Sequence, residues 1–241
     1  MPNHLRENLA AVEKKIEQAA QKSGRTLNEI KLIAVSKTHE NEVVQEAIQA
    51  GARVFGENKV QEAEGKILEL GKDNLEWHLI GHLQANKVRK AVRLFDVIHT
   101  LDSVELAERL DRICQEEERP ELSVLAQVDL ANEQTKSGVS EADLPELLEY
   151  LQTCECLQLK GLMILPPFFE DAENARPYFQ RLREIRDRLV PGGELSMGMS
   201  NDYEIAVEEG ATMVRVGTAI FGERTYQPQT VADTADKNIK S

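Results

Sequence analysis

The stretch "IAVSKTHEN", residues 33–41, joins a short apolar run to a lysine, Lys37. An apolar run of this length, bounded by polar residues, is typical of a buried strand. An open dinucleotide-binding sheet more often has a glycine-rich turn after its first strand, whereas this chain has Ser36-Lys37-Thr38 there. The stretch therefore predicts a strand at residues 31–36 that delivers an amine to the point where the strand ends.

Seven further apolar runs follow along the chain, and helical patterns lie between them. The predicted strands are residues 31–36, 53–55, 77–80, 97–99, 123–128, 159–164, 194–197 and 213–216. The predicted helices between and after them are residues 40–50, 58–71, 85–94, 103–118, 141–152, 172–189 and 201–209, with a last short one from Ala219. Because a helix separates each strand from the next, the strands are expected to pair in parallel through crossover connections.

The number of repeats indicates the fold. Eight strand–helix units in about 200 residues suit a closed (β/α)8 barrel of the TIM type, at the short end of its size range. An open doubly wound sheet is the alternative. Residues 4–22 have apolar side chains at three- and four-residue steps, which predicts an N-terminal amphipathic helix before the barrel. We expect one domain over residues 1–225 and a polar, disordered tail at residues 226–241.

Composition restricts the class of partner. The formal net charge of −13 argues against nucleic acid or an anionic membrane, because phosphate binding requires a basic face. No apolar run approaches the length of a membrane span, and the first residues contain no apolar signal segment. The cysteines, Cys114, Cys154 and Cys156, lack zinc-site spacing. We interpret them as structural or incidental, and a reduced, cytoplasmic setting fits.

The last two strands predict a site for an anion. In a barrel of this kind, function lies in the loops at the carboxyl ends of the strands, and loops seven and eight commonly hold a phosphate. Gly198 and Gly217 leave backbone N–H groups open to close approach, and Ser200 and Thr218 add hydroxyl donors. Ser200 also stands where an N-cap would, before a helix expected from Asn201. The alternative is that these residues only shape tight turns.

Lys37 and Arg215 extend this site toward one cofactor. Lysine forms Schiff bases with carbonyl compounds, and pyridoxal phosphate supplies both an aldehyde and a phosphate. Arg215 lies two residues before Gly217 and therefore points to the same face of the strand. An arginine offers only donors, so it would keep the pyridine nitrogen unprotonated. Taken alone, a lysine at a strand end is usually a solvated residue, and it is the phosphate site across the barrel mouth that favours the Schiff base.

A set of segments carries a resemblance to a known family. The segments "IAVSKTHE", "RVFGENKVQEAEGK", "WHLIGHLQANKVRK", "HTLDSVELAERL", "GLMILPP" and "LSMGMSNDYEIAVEEGATMVRVGTAIFGER" closely resemble those of the pyridoxal phosphate homeostasis protein family, in order and spacing. The resemblance runs from about Leu5 to Arg224, and the family is similar in fold to the N-terminal barrel domain of alanine racemase. The site residues that it implies are Lys37 for the Schiff base, Arg215 near the pyridine nitrogen, Asn58 and Met199 bordering the cofactor, and Ser200, Gly217 and Thr218 for the phosphate.

Two positions depart from the pattern of the family. Lys59 follows Asn58 where relatives often have tyrosine or arginine, and Leu79 stands where phenylalanine or methionine is frequent. The first departure leaves open whether Lys59 can also capture the aldehyde.

The resemblance implies a role in holding the cofactor rather than in turnover. The family is regarded as binding and buffering pyridoxal phosphate and as supporting vitamin B6 and amino-acid homeostasis, without established catalysis. It implies a monomer, with pyridoxal-phosphate-dependent apoenzymes as candidate recipients. A racemase needs two bases, yet we expect no second domain, and Tyr150, Tyr178 and Tyr203 fall in helical stretches. A pyridoxal-phosphate racemase or decarboxylase of fold type III is the first alternative, and a Schiff-base aldolase acting on a sugar phosphate is the second.

Overall fold

Parallel strands close into a barrel, as predicted. The computed structural model describes residues 2–131 and 137–222. The strands are β1 (Lys31–Val35), β2 (Val54–Glu57), β3 (Glu76–Leu79), β4 (Val97–Leu101), β5 (Leu122–Asp129), β6 (Val139–Ser140), β7 (Leu157–Ile164), β8 (Glu194–Met199) and β9 (Met213–Val216). Their order is β4-β3-β2-β1-β9-β8-β7-β5, and pairing of β4 with β5 completes the ring, which excludes the open sheet. The unpredicted two-residue β6 pairs with β5 beside the ring.

Helices follow the strands around the outside of the barrel. They are α1 (Pro2–Lys22), α2 (Asn41–Ala50), α3 (Val60–Leu70), α4 (Val88–Leu94), α5 (Val104–Glu116), α6 (Leu144–Leu151), α7 (Arg176–Leu189), α8 (Tyr203–Glu208) and α9 (Thr218–Phe221). Short 3-10 turns at Ala85–Lys87 and Ala172–Ala175 precede α4 and α7. The predicted stretches 85–94 and 172–189 therefore each contain two kinds of helix.

The N-terminal helix, predicted at residues 4–22, packs on the barrel's helical layer. Its apolar stripe is buried, and it contacts α2, α8 and α9. The Asn8 side-chain amide donates to the carbonyl of Ile220 at 2.9 Å, and Lys15 pairs with Glu204 at 3.0 Å. Helix α1 is thus joined to the last two strand–helix units. The expected tail at residues 226–241 lies outside the described residues.

Side chains along each strand point alternately to the core between strands and helices and to the interior of the barrel. Successive side chains of a strand point to opposite faces. In β3, Trp77 and Leu79 belong to the large core between strands and helices. The interior has a small apolar cluster of its own, formed by Ile33, Val97, Leu125, Met163 and Met213. Polar side chains share this interior, among them the fully buried His78 and His99.

The three cysteines are free thiols, and Cys114 and Cys156 are buried. Burial raises the pKa of Cys114 to about 12 and that of Cys154 to about 11, so both stay protonated at neutral pH. This agrees with the structural interpretation of the cysteines. Among the described helices, none combines the length and the apolar character that crossing a membrane requires.

A buried ion pair supports the turn that carries Lys37. The Lys66 side chain, on α3, is 4% exposed and lies 2.7 Å from Glu57, whose side chain is 0% exposed. Lys66 also donates to the Ser36 carbonyl at 2.7 Å and pairs with Glu62 at 2.9 Å. The Ser36 hydroxyl donates to Glu57 at 2.6 Å. Lys66 therefore ties β2 and α3 to the end of β1.

Replacing Lys66 with methionine should destabilise the protein strongly. One oxygen of Glu57 already lacks a hydrogen-bond partner, and breaking a buried pair typically costs about 3–5 kcal/mol. We therefore expect Lys66→Met to lower the free energy of unfolding by this amount, measured by urea denaturation. Lys72→Met is the matched control, because Lys72 pairs with Asp96 at 2.7 Å but is 38% exposed. Its cost should stay below about 1 kcal/mol.

The loss of stability caused by Lys66→Met should also depend on pH. Burial raises the pKa of the Glu57 carboxyl, although Lys66 opposes the shift. Without Lys66 the folded state binds a proton that the unfolded state releases, so stability must fall as pH rises through the raised pKa. Lys66→Met should therefore be more destabilised at pH 8 than at pH 5. An equal cost at both values, or one no larger than that of Lys72→Met, would contradict this account.

Candidate functional site

A cavity of about 500 Å³ opens at the carboxyl ends of the barrel strands. This is within the usual size of a small-molecule site. Its lining includes every site residue that the family resemblance implies, whereas Gly198 does not line it: Lys37, Asn58, Met199, Ser200, Arg215, Gly217 and Thr218. The structure thus brings together residues from the ends of β1, β2, β8 and β9. Their roles as ligands remain a prediction at this point.

Lys37 lies on a turn whose backbone is held on both sides. The residue before it, Ser36, accepts from Lys66, and the amide of the residue after it, Thr38, donates to the carboxylate of Glu62. Thr38 has a φ of +66°, an uncommon conformation for a residue other than glycine. Because β1 pairs with both β2 and β9, Lys37 stands between the loop of Asn58 and the loop of Gly217.

The loop after β8 differs from the predicted cap. Helix α8 begins at Tyr203, so Ser200 does not cap it, and that prediction is wrong. Asp202 instead closes a turn, since its carboxylate accepts from the Met199 amide at 2.6 Å and its own amide donates to the Met199 carbonyl at 3.0 Å. Gly198 has a φ of +90°, and a Cβ there would lie 2.6 Å from that of Ala206. Gly198 therefore serves the turn, as its alternative interpretation held.

Ser200 connects the loops after β8 and β9. Its hydroxyl oxygen accepts from the Gly217 amide at 3.1 Å, so this amide is not open as the sequence suggested. The hydroxyl proton of Ser200 is consequently left to donate elsewhere. Helix α9 begins at Thr218, and the amides of Ile220 and Phe221 donate to the Gly217 carbonyl at 2.9 Å. The first amides of a helix, here those of residues 218 and 219, have no acceptor within it.

Arg215 reaches the cavity from the barrel interior and is only 2% exposed. One terminal nitrogen donates to the Ile164 carbonyl at 2.8 Å, and the other donates to the Ser196 hydroxyl. Burial lowers the pKa of the guanidinium to about 10, while the charge of Asp202 opposes the shift. The side chain is therefore still a cation at neutral pH, held in place by two acceptors.

Sequence reasoning missed part of the lining. Asp202 faces the cavity, and burial raises the pKa of its carboxyl, while Arg215 acts in the opposite direction. The His39 ring stacks on Phe221 at 4.7 Å and joins the β1–α2 turn to α9. His39 lies between the predicted strand 31–36 and the predicted helix 40–50, and Asp202 is the second residue of the predicted helix 201–209. Their position at the start of a βα connection was the available signal. The apolar part of the lining includes Val35, Ile80, Leu165, Phe168 and Phe169.

The residues considered for rival chemistry lie elsewhere. Lys59 is exposed, immediately precedes α3 and does not line the cavity. Tyr150, Tyr178 and Tyr203 lie in α6, α7 and α8, as predicted, and do not line it either. Within the described residues, Lys37 is thus the lysine that the cavity contains.

Sequence comparison identifies close relatives. The family described as "Alanine racemase, N-terminal domain" matches residues 8–225. The pyridoxal phosphate homeostasis protein of Aquifex aeolicus is 43% identical over 225 residues, covering 91% of this chain and 98% of that protein. The protein of the same name from Escherichia coli K12 is 44% identical over 231 residues, covering 93% and 98%.

Solved structures extend the likeness to three dimensions. PipY of Synechococcus elongatus, solved with PLP (pyridoxal phosphate) bound, has a TM-score of 0.78 and 42% identity, covering 90% of this chain and all of that one. Alanine racemase of Corynebacterium glutamicum has a TM-score of 0.68 at 18% identity, covering 92% of this chain and 62% of its own. The latter likeness concerns the fold alone. The sequence motifs, the closed barrel and these relatives together show that the chain belongs to the pyridoxal phosphate homeostasis protein family, within the alanine racemase N-terminal-domain group.

Proposed function

We propose that this protein binds pyridoxal 5′-phosphate at the barrel mouth, as a Schiff base on Lys37, and holds it for vitamin B6 and amino-acid homeostasis. The observation that carries the proposal is a single cavity with an amine on one side and hydroxyl and amide donors on the other. A cavity of about 500 Å³ is large enough for such a ligand. The relatives named for pyridoxal phosphate homeostasis support the same conclusion.

The cavity's donors suit each end of the cofactor. Ser200, Thr218 and the first amides of α9 would hold the phosphate, because they offer protons to an anion. Arg215 would face the pyridine nitrogen as a donor. Asn58 and Met199 would border the ring, together with the apolar residues of the lining. The residues present therefore fit the cofactor from phosphate to ring nitrogen.

The same residues favour storage over turnover. Bound pyridoxal phosphate supplies an aldehyde and a ring that can accept electrons. Arg215 stays charged and has no acceptor, so it leaves the ring nitrogen unprotonated and the ring a weaker electron sink. We infer that the protein binds, exchanges and releases the cofactor, and that pyridoxal-phosphate-dependent apoenzymes are its recipients. Such a protein should retain the cofactor without turning over amino acids.

Lys37 should be the residue that becomes covalently linked. Loaded protein treated with borohydride should yield one labelled peptide containing Lys37, located by mass spectrometry. Lys37→Ala should abolish the label and leave the unfolding midpoint nearly unchanged, because the side chain lies at the mouth and not in the core. Lys59→Ala is the control and should label normally. A label that persists in Lys37→Ala, or that disappears in Lys59→Ala, would show that the assignment is wrong.

Ser200 should discriminate between phosphorylated and unphosphorylated ligand. A hydrogen bond to a charged group is worth about 1.5–3 kcal/mol, which is roughly tenfold to a hundredfold in affinity. Ser200→Ala should therefore weaken binding of pyridoxal phosphate by this factor and binding of pyridoxal much less, as measured by equilibrium dialysis. Ser103→Ala is the control, since Ser103 caps α5 and does not line the cavity. Equal losses of affinity for both ligands in Ser200→Ala would show that the phosphate does not bind at this loop.

Storage and catalysis differ in how fast the α-proton of an amino acid exchanges. With loaded protein and alanine in deuterated buffer, followed by proton NMR, we expect exchange far below the usual enzymatic range of about 1–10³ per second. The control is the same solution with free pyridoxal phosphate. Exchange within the enzymatic range would overturn the storage role and favour the pyridoxal-phosphate racemase or decarboxylase that the barrel fold also accommodates.

A further inference from the structure

A line of polar side chains crosses the barrel interior behind Arg215. The Ser196 hydroxyl, which accepts from Arg215, lies 2.9 Å from Nδ1 of His99. Nε2 of His99 lies 2.7 Å from Nδ1 of His78. Nε2 of His78 lies 2.9 Å from a carboxylate oxygen of Glu76, although this last contact is not well aligned. The line therefore leads from the mouth to the opposite end of the barrel.

Each interior member of the line is fully buried, and its outer end is not. Ser196, His78 and His99 are 0% exposed, whereas the Glu76 side chain is 33% exposed and pairs with Lys31 at 2.9 Å. Burial lowers the pKa of both imidazoles, that of His99 well below its usual value. The two rings are consequently neutral at pH 7, and each carries its proton on only one nitrogen.

The carboxylate of Glu76 decides which nitrogen that is. Hydrogen bonds from His78 and Lys31 lower the pKa of Glu76 to about 2, so it is an acceptor only. The two atoms are not aligned for a hydrogen bond, but a carboxylate oxygen at 2.9 Å repels a nitrogen lone pair and attracts an N–H, which favours the proton of His78 on Nε2. Nδ1 of His78 is then an acceptor and requires the proton of His99 on Nε2. Nδ1 of His99 in turn accepts the proton of the Ser196 hydroxyl.

The opposite end of the line fits this direction. Because the Ser196 hydroxyl donates its proton to His99, only its lone pairs face the guanidinium of Arg215. In the reverse direction, Ser196 would accept from both His99 and Arg215, and its own proton would have no acceptor among these residues. The forward direction thus gives every shared contact one donor and one acceptor, from the Arg215 cation to the Glu76 anion.

We propose that Ser196, His99, His78 and Glu76 form a hydrogen-bonded chain of fixed direction, whose role is to position Arg215 at the ring nitrogen of the bound cofactor. The proposal rests on the proposed function for its ligand, while the direction of the chain does not. Ser196 and His99 are positioning residues, because they act on the ligand through Arg215. The chain makes the cavity selective for a ring that presents an acceptor at that point. Glu76, which does not line the cavity, thereby influences ligand choice from the far end of the barrel.

The direction of the chain can be measured without any cofactor. Nitrogen-15 NMR of histidine-labelled protein at pH 7 should show both His78 and His99 as neutral rings protonated at Nε2. In Glu76→Gln the carboxamide can accept from His78 or donate to it, so Nδ1–H signals of both rings should appear together. Glu194→Gln removes a carboxylate at the same end of the barrel but outside the chain, and should leave the spectrum unchanged. Either ring protonated at Nδ1 in the unmodified protein, or an Nδ1–H signal from only one of the two rings in Glu76→Gln, would show that the proposed chain is wrong.

The positioning role is tested by two ligands that differ only in the ring. Pyridoxal phosphate and its 1-deaza analogue share the aldehyde and the phosphate, but the analogue has C–H in place of the ring nitrogen. Unmodified protein should prefer pyridoxal phosphate in equilibrium dialysis. Ser196→Ala should reduce this preference about fivefold to tenfold, the value of one hydrogen bond, mainly by weakening binding of pyridoxal phosphate. An unchanged preference would overturn the positioning role. If neither ligand bound the unmodified protein, the proposed function would be wrong. The NMR experiment would still show whether the hydrogen-bonded chain has the proposed direction.

Discussion

Closure of the parallel sheet, by the pairing of β4 with β5, is the constraint on which the rest of the structure depends. Once the ring closes, all eight carboxyl ends lie at one rim, and every second residue points into an interior that only the other strands can fill. Lys37 and Gly217 become neighbours because β1 and β9 are neighbours in the ring. The mouth is thus assembled from residues that are about 180 positions apart in the chain.

Closure also forces polar groups in the interior to find partners. A buried polar group without a hydrogen bond costs about 1–3 kcal/mol, and water cannot supply the missing partner in a packed barrel. His78, His99 and Ser196 contact one another in a line, with Arg215 at one end and Glu76 at the other, and only Nε2 of His78 in this line lacks a well-aligned partner. The need for partners therefore produces a connected interior in place of several isolated contacts.

The mouth owes its geometry to contacts beneath it. Lys66 fixes the turn of Lys37 from below, and Asp202 closes the turn before α8. Under the proposed function such support matters, because the Lys37 amine would have to meet the ligand while the donors of the opposite loop would hold the phosphate. A cation that is buried and doubly bound, as Arg215 is, can face a ring nitrogen without losing further freedom.

The amino-acid sequence by itself determined the alternation of strands and helices, because the periods of 2 and 3.6 residues are local properties of the chain. It also placed Lys37, Asn58 and Thr218 at strand ends, since a strand end is visible as the break of a local pattern. Tertiary structure alone decided that Ser200 bonds to Gly217 and does not cap α8. The same holds for Lys66 with Ser36, 30 residues away, and for His99 with Ser196, 97 residues away. Those contacts depend on the stagger at which the ring closes, and no local period of the sequence encodes that stagger.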